Sequence, residues 1–166
     1  MASSSRYVCA WAGTLRVAFA IDDVQEVLAP RPVTRLFHAP PALLGVIGLR
    51  GEILPVVDLG ALLHGGAPRP SEGPDERLLV LRVALDGAAA SAQSGGAATK
   101  LTSFAVRVAR LDPLRDAGDH GLEPLPPGVP ELAARVARGM VTSPSPALLV
   151  LDPAKMVAIE ELAALR

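Results

Sequence analysis

"GLRGEILPVVDLGALL" spans residues 48–63, and its reading decides the fold. Residues 46–49 read as a strand, Arg50-Gly51 as a two-residue turn, and 52–57 as the return strand. Gly51 supplies the positive φ that such a turn requires. Pro55 cannot donate to a ladder, so it marks an edge position or a bulge. Asp58 stands where a helix N-cap belongs. Leu59, Leu62 and Leu63 share one face of a short helix over 59–64, which Gly65-Gly66 ends. Arg50 projects from the hairpin tip. It is either a solvated turn residue or an interface anchor, since an arginine beside apolar side chains is a common anchor.

Outward from this hairpin, most segments read as short strands. "RYVCAWA" (6–12) and "LRVAFAI" (15–21) pair across a Gly13-Thr14 turn. "DDVQEVL" (22–28) reads as a short helix, with Asp22 at its cap and the carboxylates of Asp23 and Glu26 in its first turn. "VTRLF" (33–37) alternates as a strand, and 42–44 as a single helical turn. After a loop over 65–76, "RLLVLRVAL" (77–85) and "LTSFAVRVARL" (101–111) read as strands. Between them, residues 86–100 form a tract of small residues that lacks the bulk to pack, a mobile hairpin loop. Residues 112–130 are proline-punctuated coil, 131–139 a short helix stopped by Gly139, and 147–157 a last strand leading into a helical tail. "GEILPVVDLGALL" and "SPALLVLDPAKMV" share one plan: strand, aspartate, apolar helical turn. The expectation is a mainly β chain of small barrels in two similar subdomains.

Composition bounds what such a chain does. It has 166 residues, half of them hydrophobic, enough to bury a core without a staple. Sixteen basic and 17 acidic residues leave a net charge of −1. Nucleic acid or an anionic membrane would want a basic excess, so neither is an expected partner. A single cysteine, Cys9, excludes an internal disulfide and suggests a reducing compartment. The start lacks the basic and apolar regions of a signal peptide, and no apolar run approaches the ~20 residues of a membrane span. A soluble, cytoplasmic protein without direct membrane insertion is the expectation.

No catalytic constellation emerges. His38, His64 and His120 lack metal-ligand spacing, so no metal or cofactor is expected. Cys9 lies in an apolar strand and reads as a buried thiol rather than a nucleophile. Asp22 and Asp23 are explained by a helix start more simply than by acid–base work. No nucleophile elbow or phosphate-binding loop is present.

Three blocks read together carry a resemblance. "VQEVL" (24–28), "VTRLFHAPPALLGVIGLRG" (33–51) and "EILPVVDLGALL" (52–63) resemble the CheW-type coupling proteins of bacterial chemosensory arrays. Those carry V-Q-E-I, then V-T-R-I with a proline a few residues on, then G-V-x-N-L-R-G-x-I-x-P-V-V-D-L. "RLLVLRV", "FAVRVARL" and "ALLVLDPAKM" fall where the family has its later strands. The resemblance implies two packed, five-stranded SH3-like barrels without enzymatic activity. It implies an adaptor joining the cytoplasmic tip of methyl-accepting chemoreceptors to the regulatory domain of a CheA-type histidine kinase. It also implies a partner-binding role for Val24, Glu26 and Arg50, with Leu79 and Ala105 on the same surface. Asp58, Gly51 and Pro55 are left with structural work. Gly48 stands where the family has asparagine, and residues 86–100 replace a short turn. The competing class is a diverged β-barrel module that binds a peptide or small ligand outside chemosensing.

Overall fold

The computed structural model describes residues 5–70, 73–85, 100–159 and 162. β1 (Arg6–Ala12) and β2 (Leu15–Ala20) form the expected hairpin, in register from Tyr7↔Ala20 to Ala12↔Leu15. A 3-10 turn, Ile21–Asp23, leads into β3 (Val24–Leu28). β4 (Leu43–Leu49), β5 (Glu52–Asp58) and α1 (Leu59–His64) follow. β6 (Arg77–Leu85) pairs antiparallel with β7 (Lys100–Val108). The pairing runs to Leu85↔Lys100; the tract read as a mobile hairpin loop lies, over residues 86–99, outside the described ones. Next come β8 (Arg110–Leu111), β9 (Arg115–Asp116) and α2 (Glu131–Val136). β10 (Ala137–Val141), β11 (Leu148–Leu151) and α3 (Pro153–Ala158) complete the order.

The strands make two sheets of one plan. The first runs β10-β11-β2-β1-β8, with β9 also against β1; the second runs β4-β5-β7-β6-β3. In each, the second strand of one hairpin lies parallel to the second strand of another: β11 on β2, and β5 on β7. The echo read in the sequence is therefore real, and Asp152 caps α3 as Asp58 caps α1. The halves are nonetheless interleaved. β3 follows β2 but pairs with β6, while β8 follows β7 but pairs with β1. Each sheet thus mixes strands from both halves of the chain. The first sheet carries a sixth short strand, where five were expected.

Burial explains the near-continuous apolar runs. On β6, Leu78 and Val80 enter the second barrel's own core with Leu54, Val56 and Ala105. Leu79, Leu81 and Val83 face the other way, into a core shared by both sheets and the helices. A strand buried on both faces loses the apolar–polar alternation of a half-exposed one. Tyr7, Cys9, Ala18 and Val150 fill the first barrel.

Several sequence readings are corrected. Residues 24–28 are strand, not helix; the acidic pair occupies the 3-10 turn, and Val24–Leu28 pairs with β6 across a bulge at Gln25. Residues 33–37 contribute only one bridge, Thr34↔Val46, because the flanking prolines withhold ladder donors. Residues 40–43 make one turn, closed by the Leu43 N–H on the Pro40 carbonyl, and β4 starts there. The stretch 101–111 breaks at Ala109 and feeds both sheets. Residues 112–130 contain β9. α2 ends at Val136, and Gly139 lies inside β10, paired with Val150.

Pro55 sits at a local edge. Val46 turns both backbone groups toward Thr34, so Val46↔Pro55 is a rung without hydrogen bonds to β4. Pairing of β5 with β7 starts only at Val56, so the missing N–H of Pro55 leaves no ladder bond unmade.

Trp11 anchors the exchanged strand β8. Arg16 of β2 and Arg110 of β8, its two cross-strand neighbours, each bring a guanidinium carbon to 4.8 Å from its ring centroid. The indole N–H donates to Asp112 at 3.0 Å, and Asp112 also pairs with Arg16 at 3.1 Å. Such contacts contribute about 0.5–1 kcal/mol each at exposed sites.

Interleaving makes a sharp prediction. Residues 1–70 or 73–166 expressed alone lack partners for strands in both sheets, so circular dichroism and amide dispersion should show neither half folded. Native-like dispersion in either half would contradict the exchanged topology.

Candidate functional site

The hairpin tip is built from backbone geometry. Arg50 and Gly51 both have positive φ, 50° and 81°. That is the turn which matches strand twist in a two-residue hairpin. Glycine adopts it freely, whereas a left-handed arginine costs about 1 kcal/mol or more. Gly48, where the family has asparagine, lies in β4 opposite Ile53 and outside the turn.

Arg50 reaches Glu26 of β3 through a bidentate pair, Nη1–Oε1 at 2.6 Å and Nη2–Oε2 at 2.9 Å. β3 and β4 are opposite ends of the second sheet, so this pair latches the barrel. The Arg50 side chain remains 70% exposed while that of Glu26 is at 19%. At such exposure the pair contributes about 0.2–1 kcal/mol to stability. Its larger effect is to fix a charged fork at the surface. Val24, half-buried, packs on the shared core beneath. Gln25 accepts from Ser103 at 3.3 Å. Val27 (44% exposed) and Ile53 (75% exposed) set apolar side chains near Glu26 and Arg50 along the chain.

The structure thus brings Glu26 and Arg50 together, while Val24, on the other side of the bulge at Gln25, pairs with Leu81 and packs on the shared core. Leu79 and Ala105, expected on the same surface, are both fully buried. Leu79 lies in the core between the sheets and Ala105 inside the second barrel. Their strands are central, so neither side chain faces solvent.

Asp58 is buried and does more than cap. One oxygen accepts the Ala61 N–H at 2.7 Å, as the sequence led us to expect. The other accepts from Arg107 Nε at 2.9 Å and from Arg107 Nη2. Glu76, also buried, places a carboxylate oxygen 3.9 Å from Arg107 Nε. Gly65, left-handed, ends α1 as read.

The family profile described as the CheW-like domain matches residues 6–161. The chain belongs to the CheW-like domain family. Protein FrzA of Myxococcus xanthus is 40% identical over 74 residues, covering 45% of this chain and 45% of that protein. Chemotaxis protein CheW of Rhizobium meliloti (strain 1021) is 46% identical over 64 residues, covering 33% and 41%. The matched stretches span less than half the length of these relatives. The fold agrees with the scaffolding protein TtCheW from Thermoanaerobacter tengcongensis at a TM-score of 0.72. That match covers 97% of this chain and 92% of the other at 18% identity, and supports the two SH3-like subdomains.

Elsewhere the acidic pair has structural neighbours. Asp23 lies 3.4 Å from Arg138 of β10, which sits equally close to Asp152. Burial pushes the Asp23 carboxyl up, partly offset by Arg138. Cys9 is buried with its thiol directed at the Tyr7 carbonyl, and burial raises its pKa. Sequence reading missed Arg107 as the partner of Asp58, and Glu76 as a second carboxylate near Arg107, because no local pattern links positions 49 and 31 residues apart.

Asp58→Ala should cost more than a cap alone. Losing a cap costs about 1 kcal/mol, and leaving the part-buried Arg107 with only Glu76 at 3.9 Å raises the loss to about 2 kcal/mol or more. Urea unfolding of Asp58→Ala and Arg107→Ala measures this; a loss of only about 1 kcal/mol for Asp58→Ala would mean the ion pair contributes nothing.

Proposed function

We propose that this chain is a non-enzymatic adaptor that couples the cytoplasmic tip of chemoreceptors to the regulatory domain of a CheA-type histidine kinase. Family membership supplies the setting, and one observation carries the reading to particular residues. Arg50 occupies a costly left-handed turn position, is held by Glu26, and still exposes most of its side chain. Backbone strain retained at a surface tip marks a position whose side chain is used. A preorganised, exposed arginine has the character of an interface anchor.

Val24, Glu26 and Arg50 form one contact surface in this reading. Leu79 and Ala105 support it from beneath. The receptor tip, a helical hairpin, docks by its apolar face in the trough between the barrels, a mode that needs an apolar floor and polar rims. No helix among the described residues is long and apolar enough to cross a membrane. The adaptor works in the cytoplasm, reaching the membrane only through its receptors, and needs no cofactor.

The test separates binding from folding. Arg50→Ala should move stability by no more than about 1 kcal/mol. It should weaken binding to the kinase regulatory domain or the receptor tip at least about tenfold, equivalent to about 1.4 kcal/mol. Calorimetric titration and thermal unfolding of the same variant give both numbers. Unchanged affinity for both partners would leave Arg50 a solvated turn residue, and global unfolding would make it part of the scaffold.

A further inference from the structure

The proline-rich segment after β3 covers a cavity of about 400 Å³. Its floor is Val33, Leu44 and Leu78, all part of or packed on the second barrel's core. The cavity is therefore the mouth of that barrel, a place where small-barrel folds hold ligands, and its volume lies within the ordinary range for such sites.

The rim is basic. Arg31, Arg35, Arg107 and Glu76 line the cavity; Arg107 is paired with Asp58 and lies 3.9 Å from the Glu76 carboxylate, so its charge is already matched. Arg31 and Arg35 are exposed, and neither makes an ion pair among the described residues. Two uncommitted guanidiniums thus stand over an apolar floor.

The segment that carries them is fixed. Thr34 and Val46 exchange two backbone hydrogen bonds, at 2.9 and 2.8 Å. This close approach requires glycine at position 45: φ there is +147°, and a Cβ would come 2.0 Å from the Thr34 carbonyl oxygen. Pro30 and Pro32 restrict the backbone on either side of Arg31. The loop's ordering cost is met by the fold rather than by a ligand, which is what preorganisation of a site means.

We propose that this barrel mouth binds a small organic anion, a phosphate ester or carboxylate on an apolar body. The head group sits between Arg31 and Arg35, whose forked donors match oxyanions, and the body lies over Leu44 and Leu78. This goes beyond the adaptor reading and does not depend on it, since the site is separate from Glu26 and Arg50 and asks for no protein partner.

The full chain is titrated with phenyl phosphate, benzoate, inorganic phosphate, benzyl alcohol and a hexaglutamate peptide, following methyl resonances of Val33, Leu44 and Leu78. Phenyl phosphate or benzoate should bind saturably at one site, at least tenfold tighter than inorganic phosphate or benzyl alcohol. The stronger of the two assigns the head group. Arg31→Gln/Arg35→Gln should weaken that binding at least tenfold with the unfolding midpoint kept, whereas Arg82→Gln, on an exposed position of β6 outside the cavity, should not. The proposal is overturned if inorganic phosphate binds as well as the aromatic anions, if the floor methyls do not shift, or if the double variant binds normally. Tenfold tighter binding of hexaglutamate would overturn it too, making the rim a docking point for an acidic peptide. The wild-type methyl shifts decide the matter even if the double variant proves unstable.

Discussion

The carboxylate of Asp58 sits where two requirements meet. It ends β5 and starts α1, so one oxygen must satisfy a free helix N–H. It also forms the last rung of the parallel contact between β5 and β7, opposite Arg107, which donates to its second oxygen. A buried carboxylate is costly unless charge and hydrogen bonds are both matched, and here both are. Because β5 comes from the first half of the chain and β7 from the second, this pair fastens the halves at one seam. The β4–β5 hairpin is thereby set in place, and with it the tip bearing Arg50.

The same exchange of strands gives the molecule its stiffness. Neither barrel is a closed length of chain, so neither can loosen without the other. The first sheet's seam is the parallel contact of β11 with β2, and Trp11, stacked between Arg16 and Arg110, holds the exchanged strand β8. Across the second sheet, Glu26 and Arg50 link the two end strands. In the proposed adaptor role, a frame of this kind would let a weak surface ion pair serve recognition, since little conformational entropy would remain to be lost when a partner arrives.

What was legible in the sequence follows the range of the interactions. The hairpin at residues 46–57, the Asp58 cap and the Gly65 stop are local and were read correctly, as was the duplicated plan of strand, aspartate and helix. Residues 22–28 were misread because acidic residues at a segment's start signal a helix, whereas pairing with β6 decided for strand. The run 101–111 looks continuous, and nothing at Ala109 announces that the chain changes sheets. At the candidate site, Glu26 and Arg50 were named through the resemblance; their mutual contact required the barrel to close. Leu79 and Ala105 were assigned to the contact surface through the resemblance; both lie buried, and a strand buried on both faces shows no alternation that could have told inside from outside.

The most direct measurement is receptor-controlled autophosphorylation of a CheA-type kinase, with this chain titrated in. The account predicts that kinase output responds to receptor tips only when the chain is present, and that Arg50→Ala fails to restore the response at concentrations where the wild type saturates. Equal kinase output with and without the chain at saturating receptor would contradict it.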